Sequence, residues 1–123
     1  MNYLLDTHIL IWWLIEPEKL DKKVIEIISQ NTIFISDVNI GEISMKRKKG
    51  NLHIEFDVHE MLEENNFQLL PISTAHILET EKFEYIHGDP FDRLLIAQAA
   101  KEGLTLITKD RKIMEYPVSI LRV

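Results

Sequence analysis

Cysteine is absent from the chain, which excludes disulfides and thiolate metal sites and agrees with a reducing compartment. Glycine and proline are sparse, four of each in 123 residues, and they do not gather into a linker. One domain spanning residues 1–123 is therefore expected, large enough to bury roughly two thirds of the unfolded surface. A cationic surplus is lacking too. Lys and Arg number 14 against 20 Asp and Glu, a net charge of −6, so any polyanion must meet a local basic patch or metal ions. No long hydrophobic run occurs either. The most apolar stretch, ILIWWLI at residues 9–15, is too short to span a bilayer and follows acidic Asp6, so no membrane span or leader is expected and the chain reads as cytosolic. What is present is an ordinary globular composition, 46% hydrophobic and 28% charged, with no internal repeat.

The most informative stretch is HGDPFDRLLIAQAAKEGLTLITKD, residues 87–110. Asp89 suits a helix N-cap, Pro90 the first helical position, and Asp92 the first turn. Leu94, Leu95, Ile96, Ala97, Ala99 and Ala100 predict a mostly buried helix of about three turns. Gly103 suits its C-terminal stop, and residues 104–108 predict a buried strand ending next to Asp110.

Elsewhere, short apolar runs alternate with amphipathic stretches. Residues 3–5, 33–35, 67–71, 104–108 and 118–121 predict strands or extended segments. Residues 8–15, 18–29, 38–48, 58–64, 73–82 and 109–115 predict the remaining helices, and the basic run Lys46-Arg47-Lys48-Lys49 suits a helix C-terminus. Short apolar strands alternating with helices imply a parallel α/β sheet covered on both faces, where ligands bind beyond the carboxyl ends of the strands.

Asp6 and Asp110 fall at or just beyond two such ends, and Asp37 beyond a third. Glu42 lies one turn into the helix after that third strand, and Asp92 one turn into its own. Singly, each acid has a plain structural reading: Asp6 and Asp110 as helix caps, Asp92 as a charge favoured by a helix N-terminus, Glu42 as a solvent-facing helical residue. Gathered at one edge, carboxylates 4 Å apart would repel by roughly 4 kcal/mol at an effective dielectric of 20 and would need a counter-charge. Arg93 and Lys109 are the nearest cations in sequence. Oxygen-only ligands suit Mg²⁺ or Mn²⁺ rather than Zn²⁺, and an ion of that kind activates water for phosphodiester hydrolysis.

YLLDTHILIWWL, SDVNIGEISMKRKKGNL and above all HGDPFDRLLIAQAAKEGLTLITKD resemble the PIN-domain ribonucleases, most closely the VapC-type toxins of toxin–antitoxin pairs. The resemblance covers essentially the whole chain. It implies a three-layer α/β/α sandwich around a parallel sheet and a Mg²⁺- or Mn²⁺-dependent endoribonuclease acting on RNA. It also implies a cognate antitoxin and a homodimer. The family's catalytic and metal-binding acids map onto Asp6, Glu42, Asp92 and Asp110. Asp89 stands in the motif as a cap first and a supporting metal ligand second. One departure is Gly41, where related chains often carry a bulky residue such as Trp before the Glu.

Around this set, Arg93, Lys46 and Arg47 are candidate RNA contacts, against a plain reading as a carboxylate partner and a solvated helix end. Thr7 and Thr108 neighbour the acids and suit hydrogen bonds to a carboxylate or strand-end roles. His8 and His87 stand near the acids in sequence, where a histidine can shuttle protons but, without a third imidazole in register, not hold a metal, whereas His53, His59 and His76 read as surface or structural. Trp12 and Trp13 read as core or protein interface, the latter toward an antitoxin or a second copy. A receiver domain would need adjacent acids after the first strand, and a haloacid-dehalogenase-type phosphatase a second Asp where His8 stands. A stand-alone PIN nuclease in RNA processing and a non-catalytic PIN-like module are the remaining alternatives.

Overall fold

The computed structural model describes residues 1–55, 57–86 and 88–123. Its framework is five short strands: β1 (Asn2–Leu5), β2 (Thr32–Ser36), β3 (Gln68–Leu70), β4 (Thr105–Thr108) and β5 (Ile120–Arg122). They form one sheet in the order β3-β2-β1-β4-β5, and every pairing is parallel. Side chains alternate across each strand. Tyr3, Leu5, Ile33, Ile35 and Ile107 enter one core, while Leu4 and Leu106 enter the other. Burial on both faces is why these strands read as unbroken apolar runs.

The helices are α1 (Thr7–Ile15), α2 (Lys22–Gln30), α3 (Asp37–Lys48), α4 (Val58–Asn65), α5 (Thr74–Glu79) and α6 (Pro90–Glu102). Ile9 and Leu10 of α1, Val24 and Ile28 of α2, and Met61 and Leu62 of α4 cover the first face. Leu95, Ile96 and Ala99 of α6 cover the second, with Ile113 and Tyr116. Helix α3 contributes to both, through Ile43 to the first core and Val38 to the second. The result is the expected three-layer α/β/α sandwich.

Local chemistry sets the helix ends. Asp21 accepts from the Val24 N–H, Asp57 from the Glu60 N–H and Asp89 from the Phe91 N–H, the usual work of an acidic N-cap. Gly103 ends α6 at φ +67°, a backbone region open to glycine at little cost.

Two expected elements change. The helix predicted over 18–29 starts only at Lys22, after a 3₁₀ turn at Pro17–Lys19, because Asp21 is its cap. The helix predicted over 109–115 is a turn followed by 3₁₀ residues Ile113–Glu115. There the Asp110 carboxylate accepts from the Lys112 N–H at 2.8 Å, a local bond that competes with helix propagation.

The element order places the centre of function. From β1 the chain builds outward to β2 and β3, then returns through α5 and α6 to place β4 on the other side of β1. The connection reverses direction between β1 and β4, and the crevice beyond the carboxyl ends of those strands is where such sheets bind ligands.

Candidate active site

Asp6 follows directly on β1. Its N–H continues the ladder to β4 by donating to the Ile107 carbonyl at 2.9 Å. Although it holds the N-cap position of α1, its side chain makes no capping bond. The carboxylate is 3% exposed and accepts from the Thr108 hydroxyl at 2.7 Å. That hydroxyl also accepts from the Asp110 N–H at 3.0 Å. Thr108, fully buried at the end of β4, thus ties the acid after β1 to the acid after β4 across the crevice. Burial pushes Asp6 above the ordinary carboxylate range, with the Glu42 charge adding to it; the Thr108 hydrogen bond and the His8 charge act the other way.

Asp92 enters from α6, whose first turn is set by the Asp89 cap and Pro90. It is 8% exposed, and its carboxyl is pushed up to about 8, first by burial and then by the charges of Asp6, Asp89, Glu42 and Asp110. Asp92 thus lies within electrostatic reach of acids carried by three other segments. Glu42 reaches the same edge from α3 and is buried. One of its oxygens, Oε2, pairs with Lys46 Nζ at 3.4 Å. The other, Oε1, is buried and has no hydrogen-bond partner among the described residues. An orphaned buried acceptor costs about 1–3 kcal/mol, more when charged, and is the sort of atom that a cation or bound water satisfies.

Asp110 is half-buried, and part of its acceptor capacity serves the turn that follows. Asp89 is likewise half-buried, with its capping bond to Phe91 at 2.8 Å. Among the described residues, no three acidic or imidazole side chains are close enough to ligate one ion as they stand. The donor set still fits a hard divalent cation. Mg²⁺ takes one or two carboxylates directly and keeps several waters.

The basic candidates divide. Lys46 is held against Glu42. Arg47 is exposed and lines a shallow depression with Leu52, His53, Ile54 and Glu55. Arg93 is half-buried, and its guanidinium donates to the carbonyls of Thr80, Phe83 and Glu84 and to the Tyr116 hydroxyl. It also lies 4.8 Å from the Tyr85 ring centroid. Its bonds therefore secure the segment leading into α6. Lys109, next to Asp110, stacks on Trp12 at 4.4 Å, with Lys19 at 5.5 Å from the same ring.

Of the histidines, His8 is exposed beside Asp6, His53 and His59 are exposed, and His87 lies outside the described residues. His76 is buried, bonded to Glu102 at 2.7 Å and accepting from the Ser73 N–H. Asp37 is exposed, 3.4 Å from the Ile72 N–H.

Sequence reasoning passed over two buried amides. Gln98 is fully buried in α6 and bonded to Ser36 Oγ, the Pro71 carbonyl and His76. Asn39 is fully buried in α3 and bonded to Ser36, Leu5 and Thr7. A readable signal existed for the second: Ser36 and Asn39 stand at capping-box spacing.

A PIN domain family model matches residues 3–118. Ribonuclease VapC22 of Mycobacterium tuberculosis is 24% identical over 120 residues, covering 92% of this chain and 90% of that protein. Among solved structures, DNA-bound VapBC from Salmonella typhimurium aligns with a TM-score of 0.73 at 20% identity, covering 99% of this chain and 98% of that one. VapBC2 from Rickettsia felis, bound to a DNA fragment from its promoter, aligns at 0.72 and 18% identity, with 99% and 98% coverage. FitAcB from Neisseria gonorrhoeae aligns at 0.68 and 19% identity, with 99% and 97% coverage. At these identities the structures establish a shared fold. Among the described residues, no helix is long and apolar enough to cross a membrane.

Proposed function

This chain belongs to the PIN-domain family, and from that premise we propose that it is a Mg²⁺- or Mn²⁺-dependent endoribonuclease, the toxin of a toxin–antitoxin pair. What supports the reading is that buried Asp92 feels the charges of Asp6, Glu42 and Asp110, acids carried by three other segments, beyond the carboxyl ends of β1 and β4. An acidic edge whose Asp92 is pushed up to about 8, and whose Glu42 Oε1 meets no partner among the described residues, lowers its energy by taking up a cation. Asp6, Asp92, Asp110 and Glu42 would hold that cation. When bound it would supply a more acidic water and neutralise charge on the phosphodiester.

The residues of the chain do the rest. Thr108 fixes one Asp6 oxygen and the Asp110 backbone, which keeps the two acids in register across the crevice. Lys46 offsets part of the Glu42 charge. Arg47 and the exposed lysines beside it offer cations to an RNA backbone despite the net charge of −6. The sequence likeness to Ribonuclease VapC22 supports the substrate class, and the resemblance to VapBC assemblies supports an antitoxin partner. Partly exposed Trp12, Trp13 and Leu14 on α1 offer apolar surface to that antitoxin, and exposed Ile77 and Leu78 on α5 offer it to a second copy.

The test is cleavage of total cellular RNA with Mn²⁺, with EDTA, and with Asp92→Asn. Metal-dependent cleavage lost in the variant is the expected result. Cleavage that survives EDTA or the substitution would refute the assignment. A cytosolic toxin should also be growth-inhibitory on expression and neutralised by the product of a small adjacent reading frame; a processing enzyme would be neither.

A further inference from the structure

Helix α3 carries Glu42, but its place is settled one turn earlier. Asn39 is fully buried, and its side-chain amide makes three bonds. Its Oδ1 accepts from the Ser36 N–H at 2.8 Å, which closes the capping box of α3. Its Nδ2 donates to the Leu5 carbonyl at 3.1 Å and to the Thr7 hydroxyl at 3.0 Å. Leu5 and Thr7 are the residues on either side of Asp6. The β1–β2 register runs only as far as Leu4 and Phe34; beyond it, the Asn39 amide links the two segments as they leave the sheet.

Residues three apart on a helix share a face, so Asn39 holds the turn from which Glu42 projects. Electrostatics opposes that placement, because the Glu42 charge raises the energy of both Asp6 and Asp92. Lengthening the gap between α3 and α1 would relieve the repulsion, and the buried amide prevents it. We infer that Asn39 is a positioning residue, tying the Glu42 helix to both flanks of Asp6 so that the acids meet a divalent cation at a preset spacing. The inference rests on the metal-dependent reading of the acidic edge. Supporting groups of this kind typically govern metal affinity by roughly 10- to 100-fold.

The experiment is titration of the intact protein with Mn²⁺, followed by calorimetry and by the spin-resonance signal of the free ion. Five proteins are compared: wild type, Asn39→Ala, Thr7→Val, the double variant carrying both of those changes, and Asp57→Ala. Asn39→Ala should weaken Mn²⁺ binding by about tenfold or more, and Thr7→Val, which removes one of the three bonds at nearly constant volume, by less. The double variant should bind about as Asn39→Ala alone, because both changes break the same link. Asp57→Ala removes the α4 cap and should lower the melting temperature with Mn²⁺ affinity unchanged, which separates positioning from general loss of stability. Unchanged affinity in Asn39→Ala, or an equal loss in Asp57→Ala, overturns the inference and leaves the metal reading standing. Should Asn39→Ala fail to fold, unchanged affinity in Thr7→Val overturns it instead. A wild-type protein that binds no Mn²⁺ overturns both.

Discussion

Asp92→Asn is expected to make the metal-free protein more stable while abolishing RNA cleavage. Asp92 is pushed from 3.8 to about 8. At about 1.36 kcal/mol per pH unit, that rise sets a ceiling of about 6 kcal/mol on the folding energy lost by forcing this charge into the site. Solvent reaches the rim of the crevice and screens part of it, so about half of that, ~2–3 kcal/mol, is the reasonable expectation. Asparagine keeps the shape and carries no charge. In a chain of this length 1 kcal/mol moves the melting temperature by roughly 3–5 °C, so the variant should melt about 8 °C higher near pH 8. The sign with pH follows from the direction of the shift. A carboxyl raised in the folded state contributes stability that is complete below its unfolded value of 3.8 and is lost as pH rises through about 8. The gap between variant and wild type should therefore be small at pH 4, widen up to about pH 8 and level off above it. Scanning calorimetry in EDTA across that range measures it. Equal melting curves at pH 8, or a gap that narrows as pH rises, would refute the electrostatic account of the site.

Mn²⁺ binding by the wild type should strengthen from pH 6 to pH 8 and release protons at pH 7, because Asp92, and Asp6 as far as its raised carboxyl is protonated, must ionise to serve as ligands. Calorimetry in buffers of different ionisation enthalpy reads those protons directly, and a binding enthalpy independent of buffer would count against it. Thr108→Val keeps the volume of the buried side chain but loses both the bond to Asp6 and that from Asp110. It should lower stability by about 1–2 kcal/mol and cleavage by tenfold or more, measured by urea unfolding and single-turnover kinetics. Arg93→Ala should cost about 2–4 kcal/mol in urea unfolding, since it strips donors from three carbonyls and the Tyr116 hydroxyl. Full stability with weakened RNA binding would instead place Arg93 at the substrate.

Much of the fold was legible because its signals are local. The apolar runs at Leu4-Leu5 and Leu106-Ile107 announced buried strands, and Asp89, Pro90 and Gly103 marked the ends of α6. The three layers followed from the alternation of strands and helices. Residues 109–115 escaped, because a side-chain-to-backbone bond from Asp110 outweighed a weak helical pattern. Ala100 reads as core in sequence yet is exposed, while polar Gln98 is fully buried. Periodicity reports a face, and only neighbours with matching hydrogen bonds decide whether an amide can enter it.

Strand content and layer type were thus contained in the chain itself, since each depends on residue type and spacing over a few positions, whereas the four candidate acids are scattered along it and were singled out together only by the resemblance to the PIN domains. The tertiary structure decided what those acids do to one another. Pairing β4 beside β1 brings Asp6 and Asp110 to one hydroxyl, although more than a hundred residues separate them in the chain. That neighbourhood turns a helix-capping position into a buried carboxylate with no capping bond, and the first turn of α6 into a site where Asp92 resists ionisation. Coulomb energy and desolvation depend on distance and burial, and those quantities exist only once the sheet has assembled.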